Sequence, residues 1–300
     1  AFTAVSGGRA VLPLRTHLAL QGGAGAMLTM PAATSGPVRL GTKLLTLFPN
    51  NPDRGLPFIQ GLMVMFDART GRPTGLLEGT VLTAIRTGAA SGLATSLLAN
   101  ADASRVGIIG SGTQARTQLE AVCCARTIER VAVYSPGGAQ AFVEDMQGVG
   151  NVPDTIHVAS SAAEVVRDSH IVCTATTAST PVLSSDDVRP GTHINAVGSY
   201  TASMQELDPR LLPRARVVVD QVLATLEEAG EVIAAVRQGL IREDELVELG
   251  AIVDGARPGR QGRDEITVFK SVGLAAQDLC AAARALQRAE VGDLGVLVEL

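Results

Sequence analysis

"RVGIIGSGTQA", residues 105–115, decides the fold. Its first half, Arg105–Ile109, is short and nearly all apolar, as a strand is when both faces of its sheet are covered. Its second half carries Gly110-x-Gly112-x-x-Ala115 and opens a helical run, "TQARTQLEAVCCA" (113–125). Gly110 permits a tight turn, Gly112 lets the backbone approach a pyrophosphate, and the small Ala115 allows close helix–strand packing. The first N–H groups of the helix, at the positive end of its dipole, suit an anion. With the strand before it, the helix after it and a second strand at "RVAVYS" (130–135), the motif reads as a dinucleotide site rather than a packing turn. Gly110, Ser111, Gly112, Thr113 and Gln114 are the candidate cofactor contacts.

Working outward, "HVAS" (157–160), "HIVCTAT" (170–176), "THINAVG" (192–198) and "RVVVD" (216–220) read as strands, with "SAAEVVRDS" (161–169) as a helix among them. This alternation predicts an α/β fold with a doubly wound parallel sheet. Ligands of such sheets sit beyond the carboxyl ends of the strands. Thr174 and Thr176 are therefore candidates to bond a ribose or carboxamide, and Val197 to wall a nicotinamide ring. The second strand ends Tyr134-Ser135-Pro136-Gly137-Gly138, with no acid to hold a ribose 2′-OH and repel a 2′-phosphate. Ser135 can donate to such a phosphate, though no Arg is there to clamp it. NADP is favoured over NAD, with both left open.

On the N-terminal side, "TKLLTLF" (42–48) alternates, so Lys43, Leu45 and Leu47 share one strand face. A hairpin is predicted from strand 62–66, turn 68–73 and return strand 74–77. "TVLTAIRTGAASGLATSLLA" (80–99), rich in small residues, predicts a closely packed helix. In the tail, "REDELVELGAIVDG" (242–255) reads as a helix ended by Gly250 or Gly255, and "GRQGRDE" (259–265) as a polar linker. Residues 266–289 read as a short strand running into a long amphipathic helix.

Composition narrows the function. The chain has 300 residues, 46% hydrophobic and 18% charged, enough for one large or two medium domains. A net charge of −5, no Trp and few aromatics disfavour nucleic-acid binding. The charge-poor stretch Thr16–Val38 is broken by Gly22, Gly23, Gly25, Pro31, Gly36 and Pro37, which suit loops rather than a membrane span. No signal peptide is visible. Cys123, Cys124, Cys173 and Cys280 form no CxxC, and the four His are scattered, so buried free thiols, no metal site and a cytoplasmic location are expected. Of the 25 Lys and Arg residues only Lys43 and Lys270 are lysines.

Six segments in order, "PLRT" (13–16), "GTKLLTLFPNN" (41–51), "TAIRTGAAS" (83–91), "IIGSGTQA" (108–115), "HINAVGSYTASMQELDP" (193–209) and "TVFKSVGLA" (267–275), closely resemble the ornithine cyclodeaminase/mu-crystallin family over nearly the whole chain. Members of that family usually have a further N-terminal segment of a few dozen residues, and whether this protein has one is left open. The resemblance implies a Rossmann domain (93–261) plus an α+β substrate and dimerisation domain (1–92 with 262–300), joined to its partner's in a closed β-barrel, hence a homodimer. It implies that Arg15 and Arg86 bind a substrate carboxylate, Arg86 close to the cofactor. Lys43 would face the substrate between the carboxylate and the reacting atoms, and Ser271 would lie near the nicotinamide at the domain junction. A lysine is a compact point charge that fits where the rigid fork of Arg does not. For Lys270, a functional role and a solvated charge at a helix start stay equally open.

The sequence departs from the family at Tyr200, where cyclodeaminases and alanine dehydrogenases carry an Asp that handles the substrate amine. A tyrosine, with a pKa of about 10, is a poor base at neutral pH. This points away from ornithine cyclodeamination and amino-acid oxidation. It points toward an NAD(P)H-dependent reductase of a preformed cyclic ketimine, such as Δ1-pyrroline-2-carboxylate or Δ1-piperideine-2-carboxylate. Lys43, Arg86 and Tyr200 are the candidate catalytic residues, with Tyr200, Lys43 or water as proton donor. The alternatives are an ornithine cyclodeaminase or alanine-dehydrogenase-like enzyme acting on an amino acid, and a non-catalytic NADPH-dependent binding protein.

Overall fold

The computed structural model describes residues 1–298. By contacts the chain divides into two units, Ala1–Arg86 with Leu274–Leu300, and Thr87–Gly273. The expected boundaries fell at 92/93 and 261/262.

The first unit opens with helix α1 (Phe2–Ser6) and strands β1 (Ala10–Val11), β2 (Thr16–Ala19), β3 (Ala26–Thr34), β4 (Arg39–Leu47), β5 (Ile59–Phe66) and β6 (Pro73–Glu78). They form an antiparallel sheet in the order β1-β3-β4-β5-β6, with β2 also on β3. The charge-poor stretch around residues 16–38 is thus two strands and their turns. The hairpin is as expected, with a bulge at Met65/Phe66. Helix α2 (Gly79–Leu98) follows and continues into the second unit. It is the one described helix long and apolar enough to cross a membrane. Its small residues serve packing: a Cβ on Gly88 would lie 2.4 Å from the carbonyl of Thr117.

The second unit runs β7 (Arg105–Ile109), α3 (Thr113–Ala125), β8 (Arg130–Tyr134), α4 (Gln140–Met146), β9 (Ile156–Val158), α5 (Ala162–Asp168), β10 (Ile171–Thr174), β11 (His193–Ala196), β12 (Ala215–Val219), α6 (Val222–Glu228), α7 (Gly230–Arg237), β13 (Val247–Glu248), α8 (Leu249–Val253) and β14 (Ile266–Lys270). The sheet is eight-stranded, in the order β13-β12-β14-β11-β10-β7-β8-β9, and every pairing is parallel. Strand order reverses at β7/β10, the switch point where such sheets bind ligands. The expected doubly wound fold is therefore present. Strands β7, β10 and β11 are almost wholly buried, which is why they read as apolar runs. The chain then returns to the first unit as α9 (Ala275–Gly292).

Some expectations fail. Residues 242–255 are not one helix: a short 3-10 turn leads into β13, which pairs Val247 and Glu248 with Val218 and Val219, and only then does α8 begin. Gly250 lies inside α8, and Gly255, at φ 75°, follows its end. The "GRQGRDE" stretch is no free linker, because the Arg260 guanidinium donates to the carbonyls of Leu98 and Gly191 and to Thr267 Oγ1. Cys124 is exposed, so only Cys123 of that pair is core. Helices α4, α6 and α7 have no counterpart in the sequence reading.

Candidate active site

In the first unit, β4 carries Lys43 in a cross-strand row with Met30 of β3 and Met63 of β5, all buried. Residues in register on neighbouring strands point to the same face. Helix α9 packs on that face, with Ala275, Leu279 and Ala282 in one cluster with Met30 and Met63. Lys43 is left 1% exposed, and the charge is compensated from α9: Nζ lies 2.6 Å from Asp278 Oδ2. Nζ also lies 3.5 Å from Thr83 Oγ1, on α2.

Asp278 binds a second cation. Arg86 Nε donates to its Oδ1 at 2.9 Å, and Arg86 Nη1 donates to Gln277 Oε1 at 2.6 Å. Among the described residues nothing bonds Nη2, which leaves that edge of the guanidinium for an anion. Arg15, just ahead of β2, is half-buried and close enough for its charge to act on Lys43. The structure thus brings Lys43 and Arg86 onto one carboxylate that the sequence reading missed, with Arg15 near enough to Lys43 to act on its charge. Asp278 is an isolated acid in the Ala-rich start of α9, and nothing local to it names its partners.

These charges shift one another. Burial pushes the Lys43 ammonium down, Asp278 pulls it back, and Arg86 and Arg15 push it down again, leaving it at about 8. For Asp278 burial acts upward, but Arg86 and Lys43 outweigh it and hold the carboxyl below its usual range.

In the second unit the Gly loop is built as the sequence implies. Gly110 has φ 109°, and a Cβ there would meet the carbonyl of Ala175 at 2.4 Å, so the turn needs glycine. Gly112 is the N-cap of α3 with no side chain capping the helix, and a Cβ there would meet nothing within 4 Å. Ala115 is fully buried against the sheet. Ser111 Oγ donates to the Gly138 carbonyl, tying this loop to the turn after β8 that holds Ser135. Arg116 pins it from behind, donating to the Ser111 carbonyl and pairing with Asp145 at 2.6 Å. Two buried oxygens near these strand ends, Gln114 Oε1 and Thr174 Oγ1, have no hydrogen-bond partner among the described residues. An uncapped helix start, open space over Gly112 and unsatisfied polar atoms together fit a bound dinucleotide.

Thr176 and Ser271 are engaged differently than expected. Thr176 Oγ1 donates to Glu206 Oε1 at 2.9 Å, and Ser271 Oγ donates to Asp220 Oδ2 at 3.0 Å. Their hydroxyl protons are committed to buried carboxylates, leaving only lone pairs for a ligand. Glu206 also accepts the N–H groups of Thr176, Gly198 and Ser199 and so braces the strand ends. Burial pushes its carboxyl upward against the pull of Lys270. Lys270 is not a solvated charge. It ends β14, between the ends of β11 and β12, and donates to the carbonyl and Oγ of Ser199 at 2.6 and 2.5 Å. Val197 and Tyr200, both half-buried, follow β11 in this unit. The described residues include no group of three His, Cys, Asp or Glu able to hold a metal.

Fold and loops define a dinucleotide-binding α/β protein with a separate antiparallel unit that buries a Lys–Asp–Arg cluster. The chain belongs to the ornithine cyclodeaminase/mu-crystallin family, whose description matches residues 1–292. It is 40% identical over 295 residues to a Δ1-pyrroline-2-carboxylate reductase of Bacillus cereus, covering 97% of this chain and 90% of that one. It superposes on the Thermococcus litoralis Δ1-pyrroline-2-carboxylate reductase in complex with NADH and L-proline with a TM-score of 0.94, at 40% identity, covering 99% and 92% of the two chains. It superposes on an archaeal alanine dehydrogenase dimer with bound NAD with a TM-score of 0.91, at 34% identity, covering 100% and 91%.

Proposed function

We propose that this protein is an NAD(P)H-dependent oxidoreductase that reduces a small cyclic ketimine bearing a carboxylate, Δ1-pyrroline-2-carboxylate or Δ1-piperideine-2-carboxylate, to the cyclic amino acid. The observation that carries this reading is the pairing of Lys43 and Arg86 on a single carboxylate, Asp278, with Arg15 close to Lys43. Lys43 and Arg86 bring two positive charges to the one negative charge of Asp278, as a site for an anionic substrate requires. Its relatives named as Δ1-pyrroline-2-carboxylate reductases support the substrate class.

The residues divide the work. Gly110, Ser111, Gly112, Thr113 and Gln114 hold the dinucleotide phosphates, and Ser135 meets the ribose end. Thr174, with its unpartnered Oγ1, and Val197 contribute at the strand ends. Thr176 and Ser271, engaged by Glu206 and Asp220, shape the rim. The bound nicotinamide supplies the hydride. Arg15 and Arg86 clamp the substrate carboxylate and orient the ring. Lys43 places positive charge beside the C=N group and makes its carbon more electrophilic. Tyr200 lines the cofactor side, where a carboxylate would suit an amine substrate instead.

A homodimer is part of the proposal. Leu14, Leu18, Leu62, Leu76, Val81 and Ile85 of the first unit are exposed apolar residues, an area that a second copy would cover. The four unpaired thiols suit a reducing compartment such as the cytoplasm. The test is oxidation of NADPH or NADH followed at 340 nm with each imine. Imine-dependent oxidation supports the reading and ranks the cofactors. Ammonia release from ornithine, or tight NADPH binding without turnover, overturns it.

A further inference from the structure

Lys43 has three N–H donors and few places to send them. Its ammonium is ion-paired with Asp278 Oδ2 at 2.6 Å, without the angle of a hydrogen bond. One N–H faces Thr83 Oγ1, whose own proton goes to the Gly79 carbonyl at 2.6 Å, so Thr83 can only accept from the lysine. Among the described residues no further acceptor bonds Nζ, which leaves donor capacity for a ligand. The elements around Lys43 bring it Met30 from β3, Met63 from β5, Thr83 and Arg86 from α2, Gln277 and Asp278 from α9, and Arg15 from ahead of β2. Of these charged groups Asp278 is the sole acid. Without it, burial, Arg86 and Arg15 would all drive Lys43 toward the neutral amine, which has no proton to spare.

We propose that Asp278 is a positioning residue for Lys43: it holds the lysine charged and aimed, so that Nζ delivers the proton the imine nitrogen gains on reduction. This rests on the reductase reading and names the proton source within it. The hydride adds to the imine carbon, the C=N π pair moves onto nitrogen, and an N–H bond forms with the proton from Nζ. The imine is reduced and the dinucleotide oxidised, and Lys43, left as the amine, regains a proton from water. An ammonium near 8 is still charged at neutral pH yet releases its proton far more readily than an ordinary lysine.

Two lysines make the test direct, since protein labelled with 13C at lysine Cε shows two lysine signals. The free protein is titrated without cofactor or substrate, and the Lys43→Arg variant identifies the Lys43 signal. The expected midpoint is near 8. Asp278→Asn is expected to lower it by more than about one pH unit, and Asp278→Glu to hold it near the wild-type value. The alkaline limb of kcat/KM against pH is expected to follow the Lys43 midpoint in each folded variant. An unmoved midpoint in Asp278→Asn overturns the proposal, as does a kcat/KM limb that ignores the midpoint. If Asp278→Asn does not fold, Asp278→Glu decides, and a midpoint that falls despite the retained charge counts against it. Absence of imine-dependent oxidation by the wild-type protein sinks the reductase reading itself. Turnover with a limb unrelated to Lys43 sinks only this proposal.

Discussion

Lys270 Nζ lies 3.2 Å from Glu231 Oε1, and neither side chain has exposed surface. Ser199 joins them, donating its Oγ proton to Glu231 and accepting from Lys270. Lys270 ends β14, while Ser199 follows the β11 end, so the pair braces the loop that carries Val197 and Tyr200. Removing one partner leaves the other charged and unpaired in the interior. Glu231→Gln is expected to cost about 3 kcal/mol in urea denaturation. Adding Lys270→Met should recover most of that loss.

Gly112 offers a separable test of the dinucleotide loop. A Cβ there meets no protein atom within 4 Å, so Gly112→Val should leave the melting temperature nearly unchanged. Its side chain would occupy the space a pyrophosphate needs, and NAD(P)H affinity by fluorescence titration should fall by roughly tenfold or more.

Cofactor choice should turn on Ser135. Ser135→Asp is expected to weaken NADPH binding by about tenfold or more while sparing NADH, because the new carboxylate repels a 2′-phosphate and accepts from a 2′-OH. Equal loss of both in paired titrations would place Ser135 away from the ribose.

Lys43→Met should lower imine reduction by about a hundredfold or more and leave the dinucleotide dissociation constant nearly unchanged. The lysine lies in the antiparallel unit, and the Gly loop in the other.

His193 predicts an acid limit to stability. Burial, then the charge of Arg260, lowers its pKa from 6.5 to about 3. Below pH 6.5 the unfolded chain takes up a proton that the folded chain refuses until about pH 3. Stability present above 6.5 is therefore lost as pH falls through this window, on the order of 5 kcal/mol at its acid end. Denaturation midpoints measured from pH 7 downward should show this slope, and His193→Asn should flatten it.

How much of this was legible depends on how local each signal is. The Gly loop, its helix and the parallel strands β7, β8, β10, β11 and β12 stand out because their residues are contiguous and their apolar runs follow from burial on both faces. Lys43 stood out as one of two lysines in the chain. The short strand β13 was hidden in an apparent helix because its strand character comes from pairing with β12. Glu206 and Glu231 carried no local signal of burial, yet both are fully buried.

By itself, the sequence determined the α/β class, the dinucleotide loop and the cations available to hold a carboxylate. Each rests on residue type at short spacing, where steric and hydrogen-bonding rules act along the chain. Only the tertiary structure decided that β14 enters the parallel sheet between β11 and β12, that Lys270 is buried with Glu231, and that Asp278 compensates Lys43 and Arg86. Those are choices of partner between distant segments. They depend on which strand lies beside which and which helix covers which face, because a charge can stay buried only where an opposite charge is brought within a few ångströms of it.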